Sequence, residues 1–160
     1  MLVTAFIITR EASVDLPQGL SLSVEDRPAA ADCEAINDAL TEFNRPYLRD
    51  PAFGRIGVFV RDETGAVRAG LDARFYAGWL FVNNLWVHAE LRRRGVGRQL
   101  MREAERRAVA RGCHSVWLDT FSFQAPGFYQ RLGYEVFGTL DYPPDVRRFF
   151  LRKRLISEKS

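Results

Sequence analysis

Short alternating runs of hydrophobic and polar residues occupy most of the chain, and one longer stretch repeats every four residues. Ile56–Arg61 and Val67–Tyr76 are strand-like and flank Asp62-Glu63-Thr64-Gly65, a turn-forming cluster, which together predict a β-hairpin. Ala77-Gly78 predicts a turn into Trp79–Val87, a run rich in aromatic and β-branched residues. Leu20–Glu25 alternates in the same way and is read as an opening strand. Pro28 then fits the first turn of a helix through Ala35, Ile36, Leu40 and Phe43, with Asn44 and Pro46 marking its end. Val96 to Arg111 places Val96, Leu100, Ala104 and Ala108 four apart with charges opposite, the pattern of an amphipathic helix. Ser115–Thr120, Tyr134–Thr139 and Arg147–Leu155 read as three further strands. The last two are separated by Asp141-Tyr142-Pro143-Pro144-Asp145, which cannot be strand interior.

Strands and helices in this order predict an α/β protein built on a mixed sheet, one domain over residues 20–156. Residues 1–19 form an N-terminal extension with no assigned place in it. The chain of 160 residues, 47% apolar, is long enough to bury a core, and no Pro/Gly/Ser-rich linker or internal repeat divides it. The net charge is only +3: 23 basic residues, all arginine except Lys153 and Lys159, are interleaved with 20 acids, which argues against a nucleic-acid footprint. No apolar run approaches a membrane span, and the first residues lack the basic flank of a secretory signal, so no membrane partner and a cytoplasmic location are expected. Cys33 and Cys113 are lone, and His88 and His114 form no ligand spacing with them, so neither a disulfide nor a metal is expected.

The candidate chemistry starts at Arg92-Arg93-Arg94-Gly95-Val96-Gly97-Arg98, between the apolar run ending at Val87 and the four-residue repeat. Two glycines let the backbone approach a ligand closely. The unpaired N–H groups of the first helical turn, the helix dipole and the arginines add positive potential, so the natural guest is a phosphate or pyrophosphate. A dinucleotide-binding turn would want a third glycine where Leu100 stands, and a P-loop would want Gly-Lys-Ser/Thr, which is absent.

The pattern Arg-x-x-Gly-x-Gly between strand and helix resembles the loop of the GNAT superfamily of acyl-CoA-dependent N-acyltransferases, which binds the coenzyme A pyrophosphate. A second segment supports the resemblance. Gln124-Ala125-Pro126-Gly127-Phe128-Tyr129-Gln130-Arg131-Leu132-Gly133-Tyr134 is similar to the family's Ala-x-x-Phe-Tyr-x-Lys-x-Gly-Phe helix and exit turn, with Arg131 for Lys and Tyr134 for Phe. Where many members carry Asn three residues before the Ala, this chain has Ser122. The resemblance covers about Leu85 to Gly138. It implies a twisted mixed sheet with helices on both faces, whose fourth and fifth strands, Trp79–Val87 and Ser115–Thr120, splay apart to admit the pantetheine arm.

By that resemblance the chain is an N-acetyltransferase, moving an acetyl group from the cosubstrate acetyl-CoA to a primary amine by direct attack on the thioester. Coenzyme binding falls on the backbones of Leu85 and Val87, on Arg92, Arg94, Gly95, Val96, Gly97 and Arg98, and on the hydroxyl of Ser122. Tyr129 matches the tyrosine that protonates the departing sulfur, a sensible acid because a phenol is neutral at pH 7. Glu90, Asp119 and Asp72 are the acids near these segments, and none is singled out as a base, a water chain being an equal alternative. The expected acceptor is a small-molecule amine. Asp141 and Asp145 suggest that it is cationic, through attraction of an ammonium group at the rim. Acetylation of a protein amine or aminoacyl-tRNA, and a non-catalytic acyl-CoA-binding module, stay open beside it. The resemblance also allows a homodimer.

Overall fold

The structure, a computed structural model, describes residues 15–48 and 53–155. The N-terminal extension lies outside the described residues up to residue 14, as do residues 49–52 of the loop from Asn44 to Phe53. The chain divides into two compact units, residues 1–42 and 43–160. The described part of the first unit is irregular from Asp15 to Ala29 and then enters helix α1 (Ala30–Asn44), two residues beyond the proline expected to start it. The opening strand expected over Leu20–Glu25 is not formed. Leu22 and Val24 are 78% and 91% exposed, and alternation yields a strand only where a neighbouring strand takes its hydrogen bonds and one face is buried.

The second unit holds six strands, β1 (Gly54–Arg61), β2 (Val67–Tyr76), β3 (Trp79–Val87), β4 (Ser115–Phe121), β5 (Glu135–Tyr142) and β6 (Val146–Arg154), with helices α2 (Val96–Ala110) and α3 (Pro126–Arg131). They form one mixed sheet in the order β1-β2-β3-β4-β6-β5. Only β3 and β4 run parallel, because α2 is the crossover between them. The other neighbours are antiparallel. β5 and β6 reach closer to the Pro143-Pro144 turn than the sequence suggests, with Tyr142 paired to Val146.

The pairing that matters for function is the one that stops. β3 and β4 are in register from Trp79↔Ser115 to Val82↔Leu118, and no pairing of the two follows among the described residues. Each strand nevertheless continues along its other neighbour, β3 to Val87↔Ala69 and β4 to Phe121↔Arg148. The two strands expected to splay are therefore β3 and β4, and the gap opens at Val82 and Leu118.

A bulge at Asn83 accompanies the split. Ala73 pairs with Val82 and Asp72 with Asn84, which leaves Asn83 as the extra residue. Its effect is legible in the side chains: Leu80 and Val82 face the core before it, and Leu85 and Val87 pack against the core after it, a change of parity that needs one inserted residue. The carboxylate of Asp72 holds the bulge, accepting from Asn83 Nδ2 at 3.0 Å and from Asn84 Nδ2 at 2.8 Å.

α2 lies on the core face of β2 and β3. Its buried residues, Leu100, Met101, Ala104 and Ala108, fall on one stripe, and Val96 packs at its edge, as the four-residue repeat predicts. Ala104 and Ala108 meet a sheet face that carries the fully buried Ala69 and Ala73, and these small residues allow a close approach of helix to sheet. Replacing Asp72 by Ala should strip both bulge amides of their acceptor and destabilise the fold by about 1–3 kcal/mol, read from urea denaturation. An unchanged midpoint would mean that strand pairing alone holds the bulge.

Candidate active site

Past the end of β3, His88 Nδ1 accepts from the Glu90 N–H and starts a single 3-10 turn, Ala89–Leu91. Arg92 folds back, its Nε donating to the Val87 carbonyl at 3.0 Å, so the first arginine of the loop is latched to the strand end. Gly95 then takes a left-handed conformation, φ 83°, and caps α2 with no side-chain hydrogen bond. A Cβ at Gly95 would meet nothing within 4 Å, so the space at this residue is open. The N–H groups of the first turn, including Val96, Gly97 and Arg98, have no intrahelical partner, the usual condition of an anion-binding helix start. Arg92, Arg94 and Arg98 are exposed around it. The side chain of Val96 belongs to the core edge, which leaves only its backbone to face a ligand.

Gly97 has a duty that the sequence did not reveal. A Cβ there would lie 3.3 Å from Phe128 Cζ and 3.7 Å from Val87 Cγ2, so this glycine lets α3 close against α2 and the end of β3. The same contact brings α3 beside the gap.

α3 carries Tyr129, which is 9% exposed and ringed by Phe128 at 5.0 Å and Tyr134 at 6.0 Å between centroids. Its hydroxyl makes no hydrogen bond to another described residue, an uncommon state for a buried polar group. Burial pushes its phenol up to about 12, and the charge of Asp119 adds to the shift. Tyr134 is also pushed upward, by burial first and Glu105 second, but its hydroxyl is satisfied: it donates to Glu105 Oε1 at 2.9 Å.

The exit of β4 is organised by a residue that sequence reasoning missed. Gln124 Oε1 accepts from Thr120 Oγ1 and from the Phe121 N–H, both at 2.9 Å, and so fixes the turn into α3. Its signal was an amide side chain three or four residues beyond a strand's polar end. Ser122 ties this turn to β6, its N–H donating to the Arg147 carbonyl at 2.7 Å and its Oγ accepting from the Arg147 N–H at 3.1 Å. The hydroxyl proton of Ser122 stays available for donation.

All three candidate bases are engaged. Asp119 pairs with Arg148 Nε at 2.7 Å, and Glu90 with Arg68 Nη2 at 2.9 Å. Burial alone would raise the Asp72 carboxyl, but the Asn83 and Asn84 amides and the Arg55 charge outweigh it and hold it below the usual carboxylate range. Asp72 alternates with the buried Leu71 and Ala73, so it lies on the face of the sheet opposite α2. Asp141 is opposite Arg147 in the β5–β6 register, and Asp145 sits in the turn between these strands. Among the described residues no cluster of His, Cys, Asp and Glu suits a metal ion, and no helix is long and apolar enough to cross a membrane.

A split parallel strand pair and a glycine loop opening the following helix agree with the resemblance to acyl-CoA-dependent N-acyltransferases. The family model described as acetyltransferase (GNAT) family matches residues 23–134, and the chain belongs to that family and is an acetyltransferase. It is 42% identical over 129 residues to the blasticidin-S acetyltransferase of Streptomyces morookaense, an alignment covering 76% of this chain and 95% of the relative. The crystal structure of an acetyltransferase from Bacillus cereus superposes with a TM-score of 0.70 at 31% identity, covering 82% of this chain and 97% of that one. An aminoglycoside 6'-N-acetyltransferase complexed with coenzyme A shares the fold, with a TM-score of 0.57 at 19% identity over 86% of this chain and 98% of that one.

The two buried phenols give a measurable signature. Each holds its proton more tightly in the folded than in the unfolded chain. Tyr129 thus contributes stability that is full below the ordinary phenol value near 10 and is lost as pH rises through about 12. Of the five tyrosines, two should resist ionisation in an ultraviolet titration until the fold opens, and Tyr129→Phe should remove one of them. Five phenols titrating together near pH 10 would contradict the burial described here.

Proposed function

We propose that this chain transfers the acetyl group of acetyl-CoA to a primary amine of a small, cationic molecule, with Tyr129 as the acid. The observation that carries the reading is the gap beyond Val82 and Leu118. On its α2 side it is flanked by a helix start with no side-chain cap and by a buried phenol whose hydroxyl has no partner among the described residues. The backbones of Leu85 and Val87 would line the pantetheine arm, and the hydroxyl of Ser122 would donate to it. The first-turn N–H groups from Gly95 to Arg98 would hold the pyrophosphate, with Arg92 and Arg94 adding positive potential. These residues fit the group, since the helix start is uncapped and the space at Gly95 is open.

Acetyl-CoA supplies an activated acyl thioester, from which an amine nitrogen takes the acetyl group while the sulfur takes a proton. Tyr129 Oη keeps its proton throughout the neutral range and has no competing acceptor among the described residues, so it is ready to donate a hydrogen bond. Leu85, Val87 and Phe128 keep that side of the gap apolar. On the other face Asp72, held ionised beside the bulge and 3.7 Å from Arg55, carries a charge whose sign suits a cationic acceptor. With Asp72, Asp119 and Glu90 all engaged, water is the better route for the amine's proton. The 42% identical relative favours a small acceptor over a protein or aminoacyl-tRNA, and blasticidin S is the first to try.

Release of coenzyme A thiol, followed over blasticidin S, a polyamine, an amino acid and a short peptide, tests the reading. Turnover should be fastest with a small cationic amine. Turnover confined to the peptide would replace this function with protein acetylation. Tyr129→Phe should lower kcat on the order of 10²-fold while coenzyme affinity stays within about twofold, since only one hydroxyl is removed. An unchanged kcat would return Tyr129 to a packing role.

A further inference from the structure

We infer that Phe123, the open end of an aromatic stack on the lip of the gap, selects acceptors that carry a flat unsaturated ring beside the reacting amine. The inference rests on the acetyl-transfer reading above and names the acceptor class of that same site. β4 leaves the split with Asp119 and Phe121 alternating against the buried Leu118 and Thr120, so both point to the face opposite α2, the face of Asp72. The rings of Phe121 and Phe123 lie almost parallel there, 10° apart in plane with centroids at 5.3 Å. Phe121 has further neighbours: Tyr142 meets it edge-on at 5.5 Å, and the Arg148 guanidinium, held by Asp119 at 2.7 Å, stands 5.5 Å from its centre. Phe123 has no second ring or guanidinium against it among the described residues, and it is 70% exposed.

An exposed phenyl ring is ordinary where the backbone beneath it is loose. Here the backbone is tied on both sides. Ser122 exchanges two hydrogen bonds with Arg147, at 2.7 and 3.1 Å. The Gln124 N–H donates to the Phe121 carbonyl at 3.0 Å, and its side chain accepts from Thr120 Oγ1 and the Phe121 N–H, both at 2.9 Å. The turn therefore presents the Phe123 ring at a fixed place before any ligand arrives, and little freedom is lost when another ring stacks on it.

Height along the gap suits the reaction. Leu85 lies three residues past Val82, and Phe121 three past Leu118, the last pair in register, so the two stand at about the same height on opposite lips. In the proposed reaction the backbone at Leu85 lines the pantetheine arm, and Ser122, the residue before Phe123, donates to it. A ring resting on Phe123 is then beside the reacting end of the coenzyme, on the face from which Asp72 attracts a cation. Offset stacking of two π faces adds to the burial of apolar area, so a flat ring gains more there than a saturated ring of equal size. The acceptor class is an aryl- or heteroaryl-bearing amine.

Coenzyme A release with the best acceptor of the amine panel, measured against phenethylamine and cyclohexylethylamine as competitors, tests this. The two share the ammonium group, the arm and the number of ring carbons, and only the phenyl ring is flat with a π face. On the parent the phenyl amine should act about 3- to 10-fold more tightly, read as a competition constant, or as KM where the amine is itself acetylated. Phe123→Leu keeps an apolar side chain and should bring the two amines within about twofold of each other. Phe123→Trp keeps an aromatic face and should hold or enlarge the preference, which excludes a folding defect as the cause. Equal action of the two amines on the parent, action of neither, or a preference that survives in Phe123→Leu would overturn this inference and leave acetyl transfer standing. No coenzyme A release with any amine would overturn the acetyl-transfer reading, and the ring preference with it.

Discussion

Everything about the site depends on two neighbouring parallel strands ceasing to pair. Backbone N–H and C=O groups inside a sheet are satisfied by the next strand, and a strand that loses its neighbour must find other partners or face solvent. β3 keeps β2 for its whole length, so it stays a strand while the side once taken by β4 opens. The bulge at Asn83 lets this happen without disrupting the core, because it restores Leu85 and Val87 to the buried face just past the split. Without it Asn84 and Trp86 would face α2, and the apolar wall of the gap would be replaced by an amide and an indole. Asp72 matters for the same reason: one carboxylate meets both amides that the irregular backbone presents.

The two faces of the sheet at this point differ in charge. On the α2 side the helix start, Arg92, Arg94 and Arg98 give positive potential, and the nearby Glu105 is occupied by Tyr134 and Lys153. On the opposite face Asp72 remains ionised, and Asp119 is paired with Arg148. An anionic cosubstrate and a cationic acceptor would thus be drawn to opposite sides of one opening, which lowers the chance that either occupies the other's place.

Much of the scaffold was legible because it is local. Hairpin strands around Asp62–Gly65, the stripe of α2 and the turn at Gly95 each follow from residues within a few positions of one another. Even the bulge is written in the step from Leu80 and Val82 to Leu85 and Val87, although alternation by itself does not say where the extra residue goes. Leu20–Glu25 shows the limit of the method, since its alternation has no neighbouring strand to act on. Gln124, the packing role of Gly97 and the Glu105–Tyr134–Lys153 network were not legible. Lys153 lies 48 positions from Glu105, and only the closed sheet brings them together. The glycine loop before α2 could be recognised from its own residues, while Arg98, Arg102 and Arg131 come together around one cavity only in the fold.

The environment of Tyr129 constrains how an acid of this kind could act. An alkyl thiol titrates near 8.5, well below the value of about 12 to which burial and Asp119 push the phenol. Complete transfer of its proton to a thiolate is therefore uphill, and a new negative charge close by would hold the proton still more firmly. In the proposed reaction the phenol is better suited to donating a strong hydrogen bond, giving up its proton only as another reaches it. The absence of a competing acceptor among the described residues helps, because that hydrogen bond need not first be broken elsewhere. It follows that an alkaline limb in the rate well below pH 10 would report the acceptor amine or another group, since Tyr129 does not change its charge in that range.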